Sequence, residues 1–94
     1  MTNAAPLGVT FGSLGVLGPR AILDIADVAV QQGYQSIWTV EATGSDAFSL
    51  LGAVSAAHPQ LGLGTGIIPV QLRAPTLTAM TAATLQALSP DADI

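Results

Sequence analysis

Two kinds of hydrophobic pattern alternate along the chain, one typical of strands and the other typical of helices. In the stretch LGVTFGS, Leu7, Val9 and Phe11 would point to one side, with glycines and Thr10 on the other. The stretch YQSIWTV is rich in β-branched and aromatic side chains, as strands are. The strands are therefore predicted at residues 7–13, 34–40 and 61–67.

Helical patterns with recognisable ends lie between and after these strands. Gly18-Pro19 begins the first helix, because proline suits the first helical position, and Gly33 ends it. Asp46 gives the second helix an acidic first turn, which the helix dipole favours, and Pro75 begins the third. The helices are therefore predicted at residues 19–32, 46–57 and 75–88.

The order of these elements is βαβαβα, which implies an α/β fold. Strands that alternate with helices in this way run parallel and are joined by right-handed crossovers. Two architectures are built from such units, the open doubly wound sheet and the (β/α)8 barrel. The pattern of elements by itself is compatible with both.

Composition narrows the classes of partner. Of 94 residues, 50% are hydrophobic and only 9% are charged, so disorder is excluded and much of the surface is expected to be covered by more protein. The net charge of −4, with two arginines and no lysine, excludes nucleic acid and a polybasic membrane contact. The absence of cysteine fits a cytoplasmic location. Neither a secretory signal nor a membrane-spanning helix is expected.

The glycine-rich stretch LGLGTGIIPVQLRAP suggests a phosphate loop, but its spacing is wrong. A dinucleotide fingerprint that starts at Gly62 or Gly64 needs glycine where Ile67 or Pro69 stands. The lack of lysine excludes a Walker loop and a Schiff base, and a single histidine excludes an H-E-x-x-H zinc site. No metal site is expected. The chemistry left is that of a bound cofactor.

Three stretches together resemble the luciferase-like monooxygenase superfamily, whose members are (β/α)8 barrels that use reduced flavin or the deazaflavin coenzyme F420. The stretches are GYQSIWTVEATGSDA (33–47), LGTGI (63–67), and RAP (73–75) followed by MTAATL (80–85) and LS (88–89). In the family, a Gly-Arg pair and a fourth strand follow the third helix, whereas this chain reads SPDADI. The resemblance implies that residues 1–94 are the first three βα units of a barrel that is incomplete as given.

The resemblance also implies where the cofactor would lie. Parallel-barrel sites are found at the carboxyl ends of the strands. In the family, the segment that corresponds to Thr65, Gly66, Ile67 and Ile68 forms a bulge, often with a non-proline cis peptide, that backs the tricyclic ring. Glycine suits such a place because the backbone can be approached closely. For Gly62 and Gly64, close packing of strand against helix is the preferred interpretation.

Other candidate residues have two interpretations each. Glu41 would either bind the cofactor or substrate, or transfer a proton to it. The alternative is that Glu41 caps a helix or lies solvated in a loop. The residue after it is Ala42, where many relatives have histidine. Ser13 would line the pocket or serve a turn. Arg73 would meet a cofactor phosphate or carboxylate, or form an ion pair. Trp38 is expected in the core, packed under a helix. Asp46 is expected to cap its helix, and His58 to place a charge at the C-terminus of its helix.

The resemblance implies an oxidoreductase that acts on paired donors and a small organic substrate. The stretch EATGSDA favours hydride transfer with coenzyme F420, and the alternative is monooxygenation with reduced FMN. The 94-residue chain alone is expected to be inactive. A second hypothesis is a truncated, non-catalytic chain that associates through its open sheet edge, either as a homo-oligomer or completed by the missing strands. A third is a small flavodoxin-type binding domain.

Overall fold

A computed structural model describes residues 6–42 and 44–94 of the chain as a three-stranded parallel sheet with helices. The predicted α/β class and the order of strands and helices are confirmed. In chain order the elements are β1 (Gly8–Thr10), a 3-10 helix (Gly12–Leu17), α1 (Ala21–Gln31), β2 (Ser36–Val40), α2 (Ala47–Ala57), β3 (Gly62–Ile67) and α3 (Pro75–Leu88). No helix in this part of the chain has the length and apolarity needed to cross a bilayer.

The sheet has the order β1-β2-β3, so each strand pairs with the next one along the chain. Both pairs are parallel, and Trp38 in the central strand lies between Thr10 and Gly64. The sheet's helix-covered face presents Ile37 and Leu63, which are almost fully buried. The opposite face has no covering layer among the residues described.

The hydrophobic core lies between the sheet and the helices. Side chains from the three α-helices and from β2 and β3 meet there, which allows a chain of this length to bury a continuous apolar cluster. Its members are Phe11, Ile22, Ala26, Ile37, Phe48, Leu50, Leu51, Val54, Leu61, Leu63 and Leu85. The buried hydroxyl of Thr39 donates to the carbonyl of Ala47, which ties β2 to the first turn of α2.

The first strand is shorter than predicted, because it ends at Thr10 and not at Ser13. Phe11 already has a helical backbone, and the amide of Gly12 donates to the hydroxyl of Thr10 at 3.1 Å. This side-chain bond competes with the strand ladder and begins the 3-10 helix. Ser13 therefore lies exposed in that helix and does not end a strand.

The ends of the first helix follow from local chemistry. Gly33 has φ +84°, and the amides of Gly33 and Tyr34 donate to the carbonyls of Val30 and Ala29, which is the Schellman arrangement. Because Tyr34 takes part in this cap, β2 begins at Ser36 and not at residue 34. At the other end, residues 19–20 form a turn, so α1 is shorter than the predicted span 19–32.

The segment after α3 folds back against the open edge of β3. The amide of Leu63 donates to the carbonyl of Asp93 at 2.8 Å, and the side-chain amide of Gln86 donates to the carbonyls of Ser89 and Ala92. Ala92 is buried. The start of the segment is also fixed, since the hydroxyl of Ser89 pairs with that of Ser55 in α2.

Candidate functional site

Trp38 lies on the open face of the sheet, which corrects the prediction that a helix covers it. Side chains alternate along β2, and since Ile37 and Thr39 are fully buried on the helix side, Trp38 must point the other way. Its side chain is 43% exposed. The indole Nε1 donates to the hydroxyl of Ser36 at 3.0 Å, so the ring has a fixed orientation on this face.

Glycines on both neighbouring strands make room for the indole. A Cβ placed on Gly64 would lie 2.5 Å from Trp38 Cε3, and one placed on Gly8 would lie 2.8 Å from Nε1. Both are closer than real Cβ contacts, so the indole requires glycine at 8 and at 64. The interpretation of Gly64 as strand–helix packing was wrong, because its neighbour is an indole on the other face.

Gly62 also packs against β2 rather than against a helix. A Cβ there would lie 3.0 Å from the carbonyl oxygen of Gln35 and 3.2 Å from the Cβ of Ser36. The glycine spacing of β3 therefore matches the row of side chains that β2 presents on its open face, namely Ser36, Trp38 and Val40. The repeated glycines adapt β3 to its neighbouring strand.

The carboxyl end of β3 carries the predicted bulge. Thr39 pairs with Thr65 but Val40 pairs with Ile67, so Gly66 is the extra residue between them. Gly66 is exposed, and a Cβ there would lie 3.2 Å from Val40 Cγ1. The described residues contain no cis peptide bond, so the non-proline cis peptide that the resemblance implied for this segment is not found. Such a bond costs about 3–4 kcal/mol and needs contacts that impose it, whereas Ile67 is 67% exposed.

Glu41 follows β2 at this same edge and is bonded through both its backbone and its carboxylate. Its amide donates to the carbonyl of Ile67 at 3.0 Å. Its Oε1 accepts from the amide of Ala47 at 2.9 Å, which caps α2 as one of the two interpretations expected. Arg73 donates from Nε to Oε2 at 2.9 Å and from Nη2 to Oε1 at 2.7 Å. These Arg73 hydrogen bonds are the main reason that the pKa of Glu41 falls to about 2.

Arg73 contacts two carboxylates and one aromatic ring. Besides Glu41, its Nη2 donates to Oδ1 of Asp46, and its guanidinium carbon lies 4.9 Å from the centre of the Phe48 ring. Its side chain is 13% exposed and that of Glu41 is 9% exposed, so this is a largely buried ion pair. The pKa of Arg73 is raised, first by hydrogen bonding to Glu41. Asp46 also accepts from the amide of Phe48, so its predicted role as a helix cap is confirmed.

Two clefts lie at opposite ends of the sheet. The larger one, at the amino ends of the strands, includes Tyr34, His58 and Asp93 in its lining. There His58 Nε2 lies 2.6 Å from Asp27 Oδ1 and links the end of α2 to α1. The smaller cleft lies beside Glu41 and Arg73. Because parallel sheets hold ligands at their carboxyl ends, the smaller cleft with the adjacent bulge is the candidate site.

The structure brings the predicted site residues together only in part. Glu41 and Arg73 are in contact, and the peptide of Glu41 reaches the bulge through Ile67. Ser13 is exposed on the 3-10 helix and makes no hydrogen bond through its hydroxyl within the described residues. Residue 43, inside the stretch EATGSDA, lies outside the described residues. The roles assigned to these residues toward a cofactor remain predictions.

A parallel βα array with a bulged third strand and an acidic end on the second is the arrangement expected from the resemblance. The chain belongs to the luciferase-like monooxygenase family, which matches residues 5–91. A protein of Mycobacterium tuberculosis named "Putative coenzyme F420-dependent oxidoreductase" is 35% identical over 89 residues, or 95% of this chain. The chain spans 26% of the length of that relative. No solved structure matches the chain.

Proposed function

We propose that this chain supplies three consecutive βα units of a (β/α)8 barrel, and that the barrel is an oxidoreductase that binds coenzyme F420. The parallel order β1-β2-β3, with each strand beside its successor, supports the barrel, since an open doubly wound sheet reverses strand order at a switch point. The family match and the name of the relative support the cofactor. The proposal includes a cytoplasmic location.

The bulge at Gly66 is the observation that carries this proposal. It places an exposed stretch of backbone without a side chain at the carboxyl edge of the strands, where a flat ring can lie against it. In this arrangement Thr65, Gly66, Ile67 and Ile68 back the ring. The exposed Ile67 side chain would help to exclude water from the ring. When bound, the coenzyme supplies hydride transfer to or from a small organic substrate.

Glu41 contributes to this site as a carboxylate and not as a proton donor. With a pKa of about 2 it is ionised at neutral pH, and both its oxygens already accept hydrogen bonds. Its chemical effect on the ring is therefore electrostatic and orienting. Reduced FMN is the second candidate cofactor, because the family includes monooxygenases and the bulge would accept either tricyclic ring.

Binding tests the proposal directly. Trp38 is the only tryptophan, so quenching of its emission by F420 or by FMN, checked by calorimetry, reports binding. Gly66→Leu should weaken binding of the preferred cofactor at least about tenfold, because the side chain fills the space over the bulge. Gly15→Leu is the matched control, since no atom lies within 4 Å of a Cβ at that exposed glycine. Equal binding by the Gly66 variant would refute the assignment of the ring to the bulge, and lack of binding by a complete barrel that contains this chain would refute the cofactor.

Association through the sheet is the second candidate function. The open face and the carboxyl edge expose several large apolar side chains among the described residues, and the segment after α3 gives the outer edge of β3 a single backbone hydrogen bond, from Leu63 to Asp93. The exposed set includes Trp38, Val40, Ile67, Val70 and Leu72. Light scattering coupled to size-exclusion chromatography should then show a homo-oligomer or a complex with further barrel strands. A monomer at all concentrations would contradict this candidate.

A further inference from the structure

The loop between β3 and α3, residues 68–74, is held to the end of β2 at one residue. The amide of Glu41 bonds the bulge through Ile67, while the carboxylate of Glu41 bonds Arg73 near the far end of the loop. The same carboxylate bonds the first residue of α2. Glu41 therefore fixes three pieces of backbone relative to one another: the bulge, the loop and the start of α2.

The charges around Arg73 disfavour a direct role in binding an anion. One guanidinium faces two carboxylates, those of Glu41 and Asp46, so the cluster has a net charge of −1 (one positive and two negative groups). Its remaining face lies over the Phe48 ring. A phosphate that took over Nε or Nη2 would have to displace a largely buried carboxylate and leave it unpaired, which is costly. These two donor nitrogens are satisfied without any ligand.

We propose that Glu41 and Arg73 act through each other as positioning residues. Their ion pair holds the loop 68–74 against the end of β2 and thereby sets the shape of the bulge at Gly66. Two parallel hydrogen bonds between a guanidinium and a carboxylate fix angle as well as distance, which a single contact could not do. The consequence for the ring rests on the proposed function, whereas the consequence for the loop does not.

Hydrogen exchange on the ligand-free chain tests the effect on the loop. Glu41→Gln and Arg73→Met should each speed amide exchange in residues 65–74 by about tenfold, since each breaks the charge-assisted bonds. The double variant should exchange no faster than Arg73→Met alone, because that single variant already removes the bonds of Arg73 to both Glu41 and Asp46. Asp27→Asn is the matched control: it removes the charge of a carboxylate that contacts His58 at the opposite end of the sheet, and it should leave residues 65–74 unchanged.

The direction in which the affinity for the cofactor changes then distinguishes a positioning role of Arg73 from a role in anion binding. Glu41→Gln would release Arg73 from one of its two carboxylates, leaving that of Asp46. An anion-binding Arg73 then predicts tighter F420 binding, whereas a positioning pair predicts weaker binding by about tenfold. Arg73→Lys keeps the charge but loses the two parallel hydrogen bonds. Its affinity for F420 should therefore lie between that of Arg73→Met and that of the original protein. Full restoration by lysine would assign Arg73 to the ligand and overturn the proposal.

Other outcomes are equally decisive. Additive effects in the double variant, or exchange in residues 65–74 that is unchanged in the folded single variants, would overturn the positioning role. Should Arg73→Met fail to fold by circular dichroism, the Arg73→Lys variant gives the exchange measurement in its place. If a complete barrel that contains this chain binds no F420, the proposed function fails, while the exchange experiment on the 94-residue chain still decides whether the pair holds the loop.

Discussion

Gly64→Ala is the substitution that most directly tests the packing of the open face. The added methyl carbon would lie 2.5 to 2.7 Å from three atoms of the Trp38 ring, Cε3, Cδ2 and Cζ3. Carbon atoms in contact are normally about 3.5 Å apart or more, so the ring must move by about 1 Å. β1 leaves the ring little room to slide sideways, because a Cβ built on Gly8 would lie 2.8 Å from Nε1. It must lift toward solvent, which strains its hydrogen bond to Ser36.

The expected cost is that of overpacking, about 1–3 kcal/mol in the free energy of unfolding. Urea unfolding followed by the emission of Trp38 measures this cost, and the same signal shows a red shift if the indole becomes more exposed. Gly52→Ala is the control, because no atom lies within 4 Å of a Cβ at this position in α2. That variant should gain about 0.5–1 kcal/mol from helix propensity.

A second background separates the indole contact from any general cost of alanine in β3. In a Trp38→Leu chain, followed by circular dichroism, the substitution Gly64→Ala should cost little. Equal costs in the two backgrounds would contradict the role given to the ring. So would a cost below about 0.5 kcal/mol with unchanged emission in the original background, since surface substitutions typically fall within that range.

Three further predictions concern the polar contacts. The pKa of Glu41 is lowered from 4.5 to about 2, so its carboxylate stabilises the fold above pH 4.5, and this contribution is lost as the pH falls toward 2. Urea unfolding at a series of pH values should therefore show that the free energy of unfolding falls less steeply below pH 4.5 in Glu41→Gln than in the original chain. Asp46→Ala removes the cap to the amide of Phe48 and should cost about 0.5–2 kcal/mol in thermal unfolding, whereas Asp46→Asn should recover most of it. Ser55→Ala leaves the buried hydroxyl of Ser89 without its partner and should cost about 1–3 kcal/mol, while the double alanine variant should cost less than the sum of the singles if the two hydroxyls pair as the structure indicates.

The sequence patterns predicted the elements best where local chemistry sets them. Gly33 must adopt a positive φ to end α1, and Asp46 caps α2 through a bond to a residue two positions away, so both signals are complete within a few residues. Where a local bond competes with the alternation, prediction failed. The apolar alternation of LGVTFGS continues past Thr10, but the hydroxyl of Thr10 captures the amide of Gly12 and the strand stops.

The face of Trp38 could not be derived from its own strand. Ile37 and Trp38 are adjacent large apolar residues, so a period of two allows either one to face the helices. The choice is made by glycines on the two neighbouring strands, which leave space for the larger side chain on the open face. The Glu41–Arg73 pair was likewise hidden, because it joins residues 32 positions apart. The sequence did offer one indication of this pair, because an acidic residue follows β2 and a basic residue precedes α3.

The contact between Trp38 and Gly64 also imposes an order on mutations. A lineage that first acquires a side chain at position 64 meets the indole at 2.5 Å and loses stability. A lineage that first replaces Trp38 with a smaller residue passes through no such steric barrier, and position 64 then becomes free to vary. The two positions are therefore epistatic, and the path from glycine to a larger residue at 64 runs through a change at 38 first.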